Sequence, residues 1–180
     1  MWTSRGIPGN VPTRLLPRAL VLGVLVAVAW PQALTSQDWL SPELGFFQPL
    51  LGKTFRARIE TSQEGKVVVD VARWERALNG RAVRQVHSLD DGVYGGETFF
   101  VWDREREKVV YYYFTTAGFY THGTVTVEAD GKFSTQERVS GNEGGVRELR
   151  ATLELLPDGR LRVRSEALHE DGAWRSRPER

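Results

Sequence analysis

Hydrophobic and polar residues alternate with a period of two along most of the chain. Phe55, Ala57 and Ile59 alternate with charged residues, and the same spacing recurs up to residue 174. Such alternation is typical of β-strands that bury one face. Gly, Asn and Asp residues interrupt it at intervals close to those of an all-β sandwich or barrel. The pattern predicts ten strands, at residues 55–60, 66–78, 81–89, 94–103, 108–114, 119–128, 132–140, 146–156, 161–169 and 173–174.

The connections between these strands are short, which favours antiparallel pairing of consecutive strands. Asn79-Gly80 predicts a two-residue hairpin turn, because both residues accept positive φ angles. A meander of this many strands most simply removes its exposed edges by closing into a barrel. The alternative is an open sandwich with Greek-key crossovers, although the sequence has no long connection for one. We therefore expect an all-β fold, an antiparallel up-and-down β-barrel of about ten strands.

A short helix is predicted just before the first strand. Ser41 suits the N-cap, Pro42 suits the first helical position, and Glu43 complements the helix dipole. Gly45 and Pro49 keep the helix short. We expect it to cap one end of the barrel with its apolar residues, which are Leu44, Phe46, Phe47, Leu50 and Leu51.

The first 36 residues differ in composition from the rest. Three arginines precede an apolar run at residues 19–30, an arrangement typical of a secretory signal and short for a membrane-spanning helix. Ala27-Val28-Ala29 has the small-x-small form of a cleavage site. We predict a signal peptide and short linker at 1–36, a β-barrel domain at 37–180, and an exported protein, periplasmic or secreted. The alternatives are a mis-assigned start of the chain and an uncleaved N-terminal anchor. Such an anchor would be the chain's only contact with a membrane.

The charge balance argues against a nucleic-acid partner. The sequence has 24 basic and 23 acidic residues, of which three basic and one acidic precede residue 41. The remaining chain therefore has a net charge of −1, with no basic excess to neutralise phosphates. The sequence has no cysteine, which excludes disulfides, thiol catalysis and Cys-ligated zinc.

The stretch from Val109 to Thr124 holds four of the five tyrosines and predicts two paired strands that line a site. A carboxylate beside an arginine in a partly dry cavity can hold a polar ligand group, and tyrosines add an apolar wall with a hydroxyl. Because the register is not fixed by the sequence, the alternative is that these residues face water. The candidate ligand-binding residues are Glu97, Tyr112, His122, Glu137 and Arg150, with Arg84 and His87 behind them.

Signatures of catalysis and of metal binding are weak. The sequence has no Gly-x-Ser-x-Gly motif, and His87, His122 and His169 lack the spacing of metal ligands. Haem held by one histidine is a conceivable cofactor that the sequence does not favour. We expect no catalytic residue, no metal and no cofactor.

Several motifs are similar to those of a known group of proteins. They are Leu50–Phe55, Trp74–Arg81, Tyr94–Thr98, Val101–Asp103 and Tyr111–Gly123. Together they resemble the lipocalin-like (calycin-type) bacterial domain families of unknown function, over residues 44–174. The resemblance implies a closed β-barrel with an internal pocket. Phe55 replaces the usual tryptophan of the opening motif, and His169 is only a loose match to the late histidine that a nitrobindin-like haem site requires.

Three functions are compatible with these features. The first is an exported, non-catalytic protein that binds a small, partly apolar ligand inside a barrel cavity. The second is an enzyme of the same fold that uses Glu97 or His122 as general base. The third is a solidly packed barrel that acts as a structural or interaction domain. The ligand's identity and the oligomeric state are not predicted.

Overall fold

The computed structural model describes residues 39–60, 67–89, 92–142 and 144–180. A 3₁₀ helix, Pro42–Leu50, precedes the first strand. Ten strands follow, close to the predicted positions: β1 Thr54–Glu60, β2 Val67–Ala77, β3 Ala82–Leu89, β4 Tyr94–Asp103, β5 Lys108–Thr115, β6 Tyr120–Ala129, β7 Lys132–Ser140, β8 Val146–Leu155, β9 Leu161–His169 and β10 Trp174–Ser176.

The strands form one antiparallel sheet in which each strand pairs with its neighbours in sequence, from β1 to β10. The predicted all-β, up-and-down meander is therefore confirmed. The predicted closure is not seen, because the ladders of the described residues do not pair β1 with β10. The sheet is a curled half-barrel with an inner and an outer face. Each residue shares a face with its partner across a ladder, so the register assigns every side chain to one of them.

The hydrophobic core lies on the inner face, at the end where the 3₁₀ helix packs. Phe47 of this helix is fully buried, and its ring centroid lies 5.7 Å from that of Trp74, 4.8 Å from Phe100 and 5.1 Å from Phe133. The helix is also joined to the sheet by its backbone, because the Gly131 N–H donates to the Phe46 carbonyl. These contacts place the apolar helix as predicted, across one end of the sheet. The buried cluster contains Leu44, Phe46, Phe47, Leu50, Trp74, Val83, Phe100, Val109, Tyr111, Val125, Phe133 and Leu153.

The turn between β2 and β3 differs from the prediction. Ala77 pairs with Ala82, which leaves four residues in the loop, and Leu78, Asn79 and Gly80 all have positive φ angles. Gly80 is required here because a Cβ atom would lie 2.0 Å from the Trp39 carbonyl oxygen. The Gly80 carbonyl in turn accepts the Ser41 N–H. The longer loop thus serves as the docking point for the chain that enters the 3₁₀ helix.

The predicted signal peptide and linker at residues 1–36 lie outside the described residues. In the part of the chain that the structure describes, no helix is long and apolar enough to cross a bilayer.

Substitution of Phe47 by alanine should lower the free energy of unfolding by about 3–5 kcal/mol, because it leaves a cavity at the centre of the aromatic cluster. Phe114 is 52% exposed on the outer face, so Phe114→Ala is the control and should cost less than about 1 kcal/mol. Urea unfolding followed by tryptophan fluorescence measures both variants. Equal destabilisation would contradict the assignment of the core to the inner face.

Candidate ligand-binding site

The structure divides the five candidate residues between the two faces of the sheet. Glu137 lies on the inner face, in a row of cross-strand partners with Gly123, Tyr111 and Phe100. The other four, Glu97, Tyr112, His122 and Arg150, lie on the outer face. On β5, Tyr111 and Tyr113 therefore point inward, whereas Tyr112 and Phe114 point outward. The structure does not bring the five together.

Tyr112 and His122 belong to a patch of four aromatic rings on the outer face of β5 and β6, the outer aromatic quartet. Its members are Tyr112, Phe114, Tyr120 and His122, and each ring contacts two others at centroid distances of 6.0–6.3 Å. The ring planes are within 33° of parallel in each of these pairs. The three non-histidine members are 42–52% exposed. The quartet is therefore a cross-strand cluster on the surface.

Glu97 and Arg150 are each bound to another partner on the outer face. The Arg84 guanidinium binds the Glu97 carboxylate through two bonds, with Nε 2.9 Å from Oε2, and also binds Glu75. Arg150 Nε lies 2.6 Å from Glu166 Oε2, and its guanidinium carbon stacks 4.3 Å from the Trp174 ring centre. Glu97 and Arg150 therefore each pair with an oppositely charged residue on the partly exposed outer face, and not with each other in a dry cavity.

Arg150 also borders a shallow, polar hollow of about 620 Å³ over β6–β10. Its walls include two ion pairs, Arg150–Glu166 and Arg164–Glu179. Hydroxyl groups line much of the rest, from Thr124, Thr126, Ser134, Thr152 and Ser176. The hollow is open to solvent and lacks the apolar lining that is usual for small-molecule sites.

A cluster of polar side chains lies on the inner face, at the end away from the 3₁₀ helix. We call it the inner polar cluster; its members are Asp70, His87, Tyr94, Tyr111, Tyr113, Thr121, Glu137 and Arg180. These residues come from six strands and from the segment after β10. The inner face forms the hydrophobic core elsewhere in the sheet. Hydrophobic packing alone does not explain why polar side chains occupy it here.

One half of the cluster is centred on Asp70, whose side chain is 8% exposed. Its Oδ1 lies 2.8 Å from His87 Nε2, and its Oδ2 accepts from Arg180 at 2.5 Å. The other nitrogen of His87 lies 3.2 Å from the Tyr113 hydroxyl, which in turn lies 3.5 Å from that of Tyr94. The result is a continuous line of polar groups from β2 to β5.

These contacts fix the charge of Asp70. Burial alone would raise its pKa, but the bond and charge of His87, together with Arg180, lower the pKa of Asp70 below its ordinary value. Burial raises the pKa of Tyr113 far above its usual value, with Tyr94 and Glu137 adding to the effect. Asp70 is therefore a carboxylate at neutral pH, and Tyr113 is a neutral phenol.

The other half of the cluster is centred on Glu137 of β7. The Thr121 hydroxyl donates to Glu137 Oε2 at 2.6 Å, and Tyr111 lies beside the carboxyl group. Desolvation raises the pKa of Glu137 despite these two neighbours and despite Arg177. Burial likewise raises the pKa of Tyr111. This half of the cluster therefore favours neutral groups.

Two strand glycines make room for these side chains. Gly96 lies between His87 and Thr115 on the inner face, and a Cβ atom there would lie 2.7 Å from the Tyr113 ring. At Gly123 a Cβ atom would lie 2.8 Å from the Cβ of Glu137 and 2.1 Å from the Gln136 carbonyl oxygen. Both glycines allow a neighbouring strand to approach closely. Glycine within a strand usually marks either such an approach or a β-bulge.

The sequence-based candidates include little of the inner polar cluster. Of the five, only Glu137 belongs to it, together with His87 from the two residues placed behind them. The available signal is glycine inside predicted strands, at Gly96 and Gly123, because a strand position without a side chain leaves space for its neighbours. Nothing in the sequence connects Asp70 with Arg180, which is 110 residues away.

The cluster is suited to hydrogen bonding and offers no metal site. In the described ranges, no three His, Asp or Glu side chains are arranged to hold a metal ion. The phenols of Tyr111 and Tyr113, the Thr121 hydroxyl and the Glu137 carboxyl can donate and accept hydrogen bonds. Such convergent polar groups beside an apolar core are typical of sites for small molecules.

Comparisons with known proteins do not assign the chain. No protein-family model matches it, and no curated protein gives a significant match.

Substitution of Asp70 by asparagine should lower the free energy of unfolding at pH 7 by about 2–4 kcal/mol, because His87 and Arg180 lose a buried anionic partner. A carboxylate with a lowered pKa stabilises the folded state above its unfolded pKa of about 3.9 and loses that effect as the pH falls through the folded value. The difference in the free energy of unfolding between wild type and Asp70→Asn should therefore be largest above about pH 5, which is roughly one unit above the unfolded pKa. It should shrink as the solution is acidified.

The control for this measurement is Asp158→Asn, since Asp158 is an exposed turn residue that also pairs with an arginine. Urea unfolding at a series of pH values should show that Asp158→Asn changes the free energy of unfolding little, and by a similar amount at each pH. A constant difference between wild type and Asp70→Asn across the range would contradict the charged pairing of Asp70.

Substitution of Gly123 by alanine should destabilise the fold by about 1–3 kcal/mol, since the added Cβ would lie 2.1 Å from the backbone oxygen of Gln136 on β7. Gly45→Ala is the matched control, because no atom lies within 4 Å of the position that the added methyl group would take and the φ angle of Gly45 is not positive. Thermal unfolding followed by circular dichroism compares the two. A neutral Gly123→Ala would show that the strands do not approach as closely as described.

Proposed function

We propose that this protein is an exported, non-catalytic binding protein that holds a small, partly apolar ligand against the inner face of its half-barrel. The observation that supports this is the inner polar cluster. It lies at the end that the 3₁₀ helix leaves uncovered, directly beside the aromatic core. A ligand there would meet hydrogen-bonding groups at one end and apolar rings at the other.

The protonation states favour binding over catalysis. The raised pKa values of Tyr111 and Tyr113 keep both phenols neutral, so neither is an activated nucleophile or base. Asp70 is held by His87 and Arg180, and Glu137 already accepts from Thr121. Neutral donors and acceptors in fixed positions are suited to orienting a bound molecule.

The lipocalin-like assignment remains part of this proposal. It is supported by the ten-stranded antiparallel meander, the curl of the sheet and the helix across one end. The open ladder between β1 and β10 departs from the closed barrel that the resemblance implies. Export is proposed from the basic and apolar composition of residues 1–36.

The test uses two neighbouring tyrosines that point to opposite faces. The probe is 1-naphthamide, an apolar ring system with one neutral hydrogen-bonding group, followed by its fluorescence. Tyr113→Phe removes a hydroxyl from the inner polar cluster and should weaken binding by about threefold to tenfold, the effect of one hydrogen bond. Tyr112→Phe removes the same hydroxyl from the outer aromatic quartet and should leave binding unchanged.

Native mass spectrometry of the purified protein provides a second readout. A molecule that co-purifies with the wild type should be depleted in Tyr113→Phe and retained in Tyr112→Phe. Absence of 1-naphthamide binding at millimolar concentration would overturn the proposal. If Tyr112→Phe weakened 1-naphthamide binding and Tyr113→Phe did not, the ligand site would lie on the outer face and the proposal would be wrong.

A further inference from the structure

The direction of the hydrogen bonds in the inner polar cluster is set by the charges at one end of it. Asp70 is a carboxylate, so both of its oxygens accept hydrogen bonds and neither donates. Arg180 donates to Oδ2 at 2.5 Å, and Nε2 of His87 lies 2.8 Å from Oδ1. Two lone pairs cannot face each other at that distance, so Nε2 of His87 carries a hydrogen.

The charge balance of the cluster leaves His87 with that one ring hydrogen. The negative charge of Asp70 is matched by the guanidinium of Arg180. Desolvation raises the pKa of Glu137, so this carboxyl group adds little negative charge. A second hydrogen on His87 would therefore place an unmatched positive charge on a side chain that is only 13% exposed. Because burying an unpaired charge is costly, His87 is the neutral imidazole and its Nδ1 is an acceptor.

The Tyr113 hydroxyl is oriented by this acceptor. It lies 3.2 Å from Nδ1 of His87, and the hydrogen between the two atoms is the phenol's own. The Tyr113 oxygen then presents lone pairs and no hydrogen to the rest of the cluster. Among the described residues, its one other hydrogen-bonding neighbour is the Tyr94 hydroxyl, 3.5 Å away. That distance exceeds the usual range for hydroxyl pairs, about 2.5–3.0 Å, so the Tyr113 oxygen is an acceptor that the protein does not satisfy well.

This acceptor lies where a ligand can reach it. Tyr113 and Tyr94 are both half-buried, whereas Tyr111 on the same face is only 4% exposed. Gly96 of β4 has no side chain, so the Tyr113 ring packs directly over its backbone and is held in place. An acceptor that is fixed in position and lacks a close donor in the protein is suited to a ligand that brings its own hydrogen.

We propose that the inner polar cluster selects ligands that carry a hydrogen-bond donor, a hydroxyl or an N–H group, and that His87 is the positioning residue for this selectivity. This inference deepens the binding function proposed above and rests on it. The ligand donates to the Tyr113 oxygen, and its apolar part lies towards the aromatic core. A group that offers only acceptors would face the lone pairs of Tyr113 and leave them unpaired. Small apolar alcohols, phenols and primary amides therefore fit the site, and ketones and esters do not.

Two isosteric probes test this selectivity, 1-naphthamide and 1-acetylnaphthalene. They share the ring system and the carbonyl group, and differ only in an amino or a methyl group on the carbonyl carbon. In isothermal calorimetry at pH 7, the wild type should bind 1-naphthamide about threefold to tenfold more tightly, the effect of one hydrogen bond, although the ketone is more apolar. Equal affinities, or a preference for the ketone, would overturn the selectivity and leave the proposed binding function intact.

His87→Gln tests the positioning role. Glutamine keeps an N–H for Asp70 but has no acceptor at the position of Nδ1, so the Tyr113 hydroxyl is released and can donate to the ketone carbonyl. The variant should bind the two probes with affinities within about twofold of each other. The matched control is His122→Gln, because His122 lies on the outer face, 6.0 Å from the Tyr112 ring centroid. It should keep the wild-type preference, and thermal unfolding confirms that each variant is folded. A preference that survives His87→Gln would overturn the role of His87.

Nitrogen NMR of the wild type reports the His87 tautomer directly. At pH 7 the ring should carry hydrogen on Nε2 and none on Nδ1. Hydrogen on Nδ1 would overturn the selectivity, because Tyr113 would then accept from His87 and offer its own hydrogen to the ligand. Absence of binding by both naphthalene probes at millimolar concentration would overturn the proposed function together with the selectivity.

Discussion

The insertion of Phe47 between Trp74, Phe100 and Phe133 is the contact on which the rest of the structure depends. A single curled sheet has no second layer of its own, so its inner face needs something to cover it. The 3₁₀ helix covers one end of that face and brings its apolar side chains to strands β2, β4 and β7. These contacts stabilise the curvature of the sheet at that end. The inner polar cluster occupies the opposite end, which the helix does not cover.

The two faces of the sheet use charge in different ways. On the outer face, Arg84 and Arg150 are bound to carboxylates in partly exposed pairs, where such bonds contribute little to stability. On the inner face, Asp70 and Glu137 are removed from water, so each partner strongly affects protonation. The same residue types are therefore ordinary surface groups on one side and parts of a candidate site on the other.

The strands, their order and the helix could be predicted from the sequence, because alternation and turn residues are local properties. The faces of β5 could not, because Tyr111, Tyr112, Tyr113 and Phe114 are all aromatic and no change in polarity marks the inner side. Register then depends on pairing with β4 and β6, which is a property of the folded sheet. Tertiary contacts also determine the length of the loop at Asn79-Gly80. The loop is longer than local propensity predicts, because the Trp39 backbone packs against it. We expected β1 to pair with β10 because proteins generally avoid exposed sheet edges. In the structure, side chains connect the two ends of the sheet instead, through Asp70 of β2 and Arg180 after β10.

The bond between Asp70 and Arg180, which makes that connection, has a consequence for folding. All ten strands pair with their neighbours in sequence, so each hairpin can form on the previous one with little loss of loop entropy. The Asp70–Arg180 contact, by contrast, joins segments 110 residues apart. The cost of closing so long a loop falls once the intervening hairpins have assembled, so we expect this contact to form late and to slow unfolding more than it speeds folding.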